Sequence, residues 1–463
     1  MAASPPPTSH LSRQLDLDQV AAELQAPIGL RAVVLGTDAL DDLTALVPTG
    51  ASVALLTDGV AKRRGGHDVL PEVHRRLAGS SVTTVVLGGP SGRVHADEVT
   101  LTEATQRCEN ASWIVTVGSG TLADIGKAVS ARLDGVAHVV VQTATSVNGF
   151  ADDQSVLLVD GVKRTARTRW PDFLIADADV LAGAPAPLNV AGVGDLLAMF
   201  TAPADWRLAH MLGMADSYSA SAVALARRHG PEVLSLAPRL AQGDPVAATK
   251  VAEVLAYSGI SMGAAGTTAP ASGMEHTVSH LLEMATNQQG RESAFHGAQV
   301  GVSTVVASAL WSRVRALVTG KVRLEFPSAA AMEERVRDSF VYLDPSGAMG
   351  EECWRAYSRK LRRWSANRTG LESMDWRAVE REVAPLLGGG NELVESLVTA
   401  GAPARFSELD PAPSPDLVRW ALASCHLMRD RFTVADLAFF AGEWEADDVE
   451  SLLDEAASIG GGL

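Results

Sequence analysis

Three of the eleven histidines fall close together, in Ser272-Gly-Met-Glu-His-Thr-Val-Ser-His280 and in Phe295-His-Gly297. His276 and His280 are spaced so that on a helix their imidazoles share one face, and a neighbouring helix can bring His296 to them. Imidazoles gathered in this way suit a divalent metal ion. Two or three of them with one carboxylate make a catalytic site that keeps a position open for substrate. The same pair, with Leu281, Leu282 and Met284 beside it, also fits a buried, hydrogen-bonded packing role. A carboxylate from elsewhere in the chain decides between the two, and spacing alone does not name it.

A second constellation is Gly118-Ser-Gly-Thr-Leu-Ala-Asp-Ile-Gly-Lys127, which directly follows the apolar run Trp113 to Val117. Strand, tight turn and helix start in that order make a phosphate cradle. Gly118 and Gly120 let the backbone approach closely, and the free amides of Ser119 and Thr121 with the helix dipole favour an anion such as a nucleotide pyrophosphate. A plain turn is the alternative. The turn follows the fourth expected strand, and Gly-x-x-x-x-Gly-Lys-Ser/Thr is absent, so neither the ordinary Rossmann fingerprint nor a Walker loop applies. Asp58, at the end of the run Val53 to Thr57, is placed to accept hydrogen bonds from an adenosine ribose; capping its own turn is the alternative.

These groups need a scaffold, and the chain changes character part-way along. Apolar runs at Arg31 to Gly36, Val53 to Thr57, Val82 to Gly88, Trp113 to Val117 and His138 to Gln142 are continuous, not alternating, and helical patterns such as Asp97 to Glu109 and Leu122 to Leu133 separate them. That predicts an α/β domain with a parallel sheet covered by helices on both faces. From Pro187 the pattern turns to long Ala- and Leu-rich helical stretches, including Val193 to Arg228, Ala247 to Met262, Met274 to Thr286 and Gly297 to Val318. The expected organisation is a mobile extension over 1–28, an α/β dinucleotide-binding domain over 29–186, and an all-α metal- and substrate-binding domain over 187–463.

With 55 acidic against 39 basic residues the formal charge is −16, which argues against nucleic acid or an anionic membrane as the main partner. Cys108, Cys353 and Cys425 are too widely spaced for a thiolate zinc knuckle or a disulfide framework and read as reduced, packed thiols. The start Met1-Ala-Ala-Ser-Pro-Pro-Pro lacks the pattern of a signal peptide, and no apolar run reaches the roughly 18 residues of a membrane span. A soluble cytoplasmic protein is the expectation.

With these motifs in place, the chain resembles the sn-glycerol-1-phosphate dehydrogenases, in their bacterial branch, of the iron-alcohol-dehydrogenase and dehydroquinate-synthase-like superfamily. The resemblance runs through Gly118 to Lys127, Thr143-Ala-Thr-Ser-Val-Asn-Gly-Phe150, Val159-Asp-Gly-Val-Lys-Arg-Thr165, Gly192-Val-Gly-Asp-Leu-Leu197, Ala204-Asp-Trp206, Ser258-Gly-Ile-Ser-Met262, Ser272 to His280, His296-Gly297 and Met428 to Val434. It implies the missing carboxylate, Asp195, which joins His276 and His296 around zinc or nickel. Some superfamily members carry a further histidine where this chain has Met199, so three protein ligands are implied. His280 then sits where an imidazole can hydrogen-bond a metal-bound water or relay a proton to the new alcohol, with helix packing as the alternative.

The resemblance further implies NAD(P)H on the Gly118 to Thr121 turn, with Asp124 of the same motif counted among the coenzyme contacts and Thr143 and Ser146 beside the nicotinamide or its ribose. Asn148 and Lys163 face the substrate, Lys163 toward a phosphate or as an ordinary hairpin lysine. The activity implied is reduction of dihydroxyacetone phosphate, or a close relative, to sn-glycerol 1-phosphate, in a homodimer. Two positions depart from the family: Asn148 replaces an aspartate and Ala298 a glutamate, which leaves a different polyol or ketone open. A cyclase of the dehydroquinate-synthase kind, acting on a sugar phosphate, is the nearest rival, and a non-catalytic binding protein is the other.

Overall fold

The computed structural model describes residues 12–88, 94–320 and 322–463. The strands are β1 (Ser12–Gln14), β2 (Ala32–Gly36), β3 (Ser52–Asp58), β4 (Arg63–Arg64), β5 (His67–Asp68), β6 (Ser81–Leu87), β7 (Trp113–Gly118), β8 (Ala137–Gln142), β9 (Gln154–Val159), β10 (Val162–Arg167) and β11 (Phe173–Asp177). Seven of them form one sheet in the order β1-β2-β11-β8-β7-β3-β6. All neighbours are parallel except β1, which runs antiparallel to β2.

Why the apolar runs are continuous is visible in the core. Along β3, Val53 and Leu55 enter one buried cluster and Ala54 and Leu56 another. Along β7, Val115 and Val117 join the first and Ile114 the second. Successive side chains point to opposite faces, and both faces are covered, so both are mainly apolar.

The chain divides into two compact units. One takes residues up to Val159 with Arg164–Leu196 and Ser221–Thr268, and the other takes Asp160–Lys163, Leu197–Ala220 and Ala269–Leu463. The grouping of Ser221–Thr268 with the sheet differs from a boundary at residue 187. Its cause is the helix Pro245–Ala265, which packs on β2, β11 and the helix Ala178–Ala182. That helix is apolar nearly all round, and at Gly263 the Trp170 ring lies so close that an added Cβ would come within 2.2 Å of it.

Residues 1–11 of the expected extension lie outside the described residues. The rest of it is ordered into β1 and the helix Leu17–Leu24, capped by Asp16, whose carboxylate accepts the Gln19 amide at 2.9 Å. Arg13 of β1 donates to both oxygens of Glu253, at 3.1 and 2.6 Å.

In the second unit the helices Met274–Gln288 and His296–Val318 pack on each other, and the latter also meets helices Gly390–Ala400, Val434–Phe440 and Ala446–Ser458. The three cysteines are free and buried. Among the described residues no helix is long and apolar enough to cross a membrane.

Candidate functional site

In the sheet unit, β7 runs into Gly118 and the helix Gly120–Arg132 begins at once, with Ser119 as an N-cap whose side chain makes no capping hydrogen bond. The first amides of that helix are thus left without a side-chain cap, which is the arrangement that receives an anion. Both glycines are required by space. A Cβ at Gly118 would lie 2.2 Å from Leu122 Cδ1, and one at Gly120 2.6 Å from Val147 Cγ2.

The segment Thr143 to Gly149 is held beside this turn. The Thr143 amide donates to Gly118 O at 3.2 Å. The Thr145 amide donates to Asn189 Oδ1 at 2.8 Å, and the Thr145 hydroxyl to the same oxygen at 3.0 Å. Two helices press on the segment at positions where only glycine fits. A Cβ at Gly192 would come within 1.8 Å of Thr145 O, and one at Gly259 within 2.6 Å of Asn148 O. The Asn148 amide donates to Asp195 Oδ2 at 2.9 Å, and its side-chain nitrogen donates to Ser258 Oγ at 3.3 Å. The Ser146 hydroxyl is buried with no hydrogen-bond partner among the described residues.

Two acids expected near the coenzyme have protein partners. Asp58 Oδ1 accepts the Val60 amide at 2.9 Å and pairs with Lys62. Asp124 Oδ2 accepts the Val156 amide at 3.1 Å, and its Oδ1 lies 3.1 Å from Lys127 Nζ. Lys127 is a residue that sequence reasoning passed over. Its ammonium, fully buried, donates to Asp152 Oδ1 at 2.6 Å, to Gly149 O at 2.7 Å and to Gln154 O. Burial opposes its charge, but Asp152 and Asp124 hold its pKa above the usual lysine value. The signal available in sequence was a lysine on the apolar face of a helix, a place that almost always demands paired carboxylates.

In the helical unit, the rings of His276, His280 and His296 converge. Their centroids are 6.3 Å apart for His276 and His280, 5.3 Å for His276 and His296, and 5.4 Å for His280 and His296. The partners of the three Nδ1 atoms differ in kind. His276 Nδ1 lies 3.1 Å from Glu275 Oε1, and His296 Nδ1 lies 3.0 Å from Glu283 Oε1. A carboxylate can only accept, so both Nδ1 atoms carry a proton, and a neutral ring held in this way has its lone pair on Nε2. At His280 the pattern is reversed: Arg429 Nη2 donates to Nδ1 at 2.9 Å, so the neutral ring carries its proton on Nε2. Burial, with the charges of Arg429 and Lys163, pushes the pKa of His280 well down and keeps that ring neutral.

The resemblance had included Ala204-Asp-Trp206 and Met428 to Val434 without a role for either. Asp205, fully buried, accepts the Met274 amide at 2.9 Å, the Trp311 indole at 3.1 Å and the Val434 amide at 3.0 Å. It thereby fixes the first turn of the histidine helix to two other segments. Arg431 donates to Ser272 O at 2.5 Å just before that helix. Lys163, expected to face substrate, pairs with Glu283.

A family model of the iron-containing alcohol dehydrogenases matches residues 34–185. A glycerol-1-phosphate dehydrogenase [NAD(P)+] of Pyrococcus abyssi is 30% identical over 292 residues, 62% of this chain and 81% of that one. The chain belongs to the glycerol-1-phosphate dehydrogenase family, within the iron-containing alcohol dehydrogenase superfamily. It is an enzyme, an oxidoreductase. The family member of the same name in Bacillus licheniformis is 27% identical over 411 residues, 88% of each chain. Among solved structures, a probable glycerol dehydrogenase from Sinorhizobium meliloti shares the fold, with a TM-score of 0.58 at 17% identity over 91% of this chain and 96% of the other.

Proposed function

We propose that this enzyme reduces dihydroxyacetone phosphate to sn-glycerol 1-phosphate with NADH or NADPH and one divalent cation, zinc or nickel, held by Asp195, His276 and His296. The observation that carries the reading is the contrast among the three histidines. Two have Nδ1 turned to a carboxylate, and the third has the opposite tautomer. The donor set of one carboxylate and two imidazoles has the composition of a metal-holding group. The relatives' names supply the coenzyme and the polyol phosphate.

A bound cation of this kind supplies Lewis-acid polarisation of a ketone. The chain's own residues do the rest. The amides of the Gly118 to Thr121 turn bind the coenzyme pyrophosphate, and the clamped Thr143 to Gly149 segment orients the nicotinamide, with the Ser146 hydroxyl as its free donor. His280, a neutral ring with its proton on Nε2, donates a hydrogen bond to the product oxygen as charge develops there, and water supplies the proton. Asn148 and Lys163 meet the substrate's hydroxyl and phosphate.

The test is a screen of phosphorylated and unphosphorylated ketones with both coenzymes after reconstitution with zinc or nickel. Coenzyme oxidation with dihydroxyacetone phosphate is expected. Turnover of other ketones without it would remove the substrate reading and leave the oxidoreductase in place.

A further inference from the structure

Glu283 stands between a metal-ligand candidate and a cation. Its Oε1 accepts the Nδ1 proton of His296 at 3.0 Å, while its Oε2 pairs with Lys163. Glu275, the corresponding partner of His276, is held differently: it accepts the Gly273 amide at 2.5 Å and the Thr201 hydroxyl at 2.9 Å, all within a fully buried setting. Neutral donors hold the Glu275 carboxylate, whereas a charged one is paired with Glu283. The side chain of Glu283 retains 11% of its exposure and that of Lys163 24%, so the second pair can be drawn apart and the first cannot.

A carboxylate on one ring nitrogen fixes the ring and strengthens the other nitrogen as a donor to metal. A cation on that carboxylate withdraws part of the charge. We infer that Glu283 is a positioning residue whose charge sets the ligand strength of His296, and that Lys163 lowers that strength by acting through Glu283. This inference rests on the metal reading above.

Opposite signs follow from it. The isosteric E283Q keeps an acceptor for the His296 N–H but loses the charge, and should weaken zinc binding by about tenfold. K163M should tighten it, and in the E283Q background that tightening should vanish, because Lys163 then has no charge to act through. The measurement is the zinc dissociation constant by chelator competition for wild type, both single variants and the double variant, with the absorption spectrum of the cobalt-substituted proteins as a second readout. Thermal unfolding of each metal-free protein identifies any variant that has simply lost its fold.

The two failures are distinguishable. Wild type that takes up neither zinc nor nickel refutes the metal site itself. Wild type that binds zinc, with E283Q and K163M shifting affinity in the same direction, or with the K163M effect undiminished in the double variant, overturns the role of Glu283 alone.

Discussion

Arg429 donates a hydrogen bond to His280 across 149 residues of chain, and in doing so it decides which ring nitrogen carries the proton. Without that donor, His280 would be free to adopt the tautomer of its two neighbours and present a lone pair in place of a proton. The hydrogen-bond donor and the ligands of the proposed site are thus told apart by what lies behind each ring.

Replacement of His280 by alanine should lower kcat by about 10²-fold, the usual worth of one hydrogen-bond donor to a developing oxyanion, while zinc content stays at the wild-type level. R429M should reproduce part of that loss. Kinetics beside elemental analysis of the same samples checks both, and loss of metal from H280A would show that His280 is a ligand.

At the coenzyme turn, G120V places its side chain against Val147, where even a Cβ is 2.6 Å from Cγ2. Nicotinamide coenzyme binding should disappear, as measured by fluorescence titration. An unchanged affinity would remove the cradle from the mechanism.

Asp205→Ala leaves the Met274 amide, the Trp311 indole and the Val434 amide unpaired, at about 1–3 kcal/mol for each buried donor. Denaturant unfolding should show a loss of at least about 3 kcal/mol. Zinc affinity should fall with it, since the helix bearing His276 loses its anchor.

His426 is buried against Phe439, with ring centroids 4.5 Å apart, and neither of its nitrogens has a hydrogen-bond partner among the described residues. Burial, with Lys360 and Arg335 nearby, pushes its pKa well below 6.5. The unfolded chain therefore binds a proton that the folded one refuses, so stability is lost as pH falls below about 6.5 and is regained above it. Relative to H426L, wild type should lose up to about 1.4 kcal/mol per pH unit in that acid range. Parallel curves for the two proteins would contradict the shift.

The five expected strands were legible as unbroken apolar runs between helical patterns, and the helices bearing the histidines as long helical stretches. β11 was not, although Phe173-Leu-Ile-Ala-Asp177 is apolar: it follows a proline and enters the middle of the sheet between β2 and β8 after the other sheet strands have been made. Strand order is a long-range property that no local pattern carries. For the same reason the helix Pro245–Ala265 read as part of the helical half, since an Ala- and Gly-rich helix buried all round does not announce which surface buries it. Arg429 and Asp205 lay in motifs that the sequence brought to notice, but their targets are far away in the chain and only the folded structure names them.

The glycines at 192 and 259 have a practical meaning for anyone wishing to retune this enzyme. With a carbonyl oxygen within 1.8 Å of one missing Cβ and 2.6 Å of the other, the backbone from Thr143 to Gly149 has no room to be rerouted. Changed selectivity must therefore come from exchanging the side chains that segment displays, at positions such as Ser146 and Asn148, on a main chain that stays where it is.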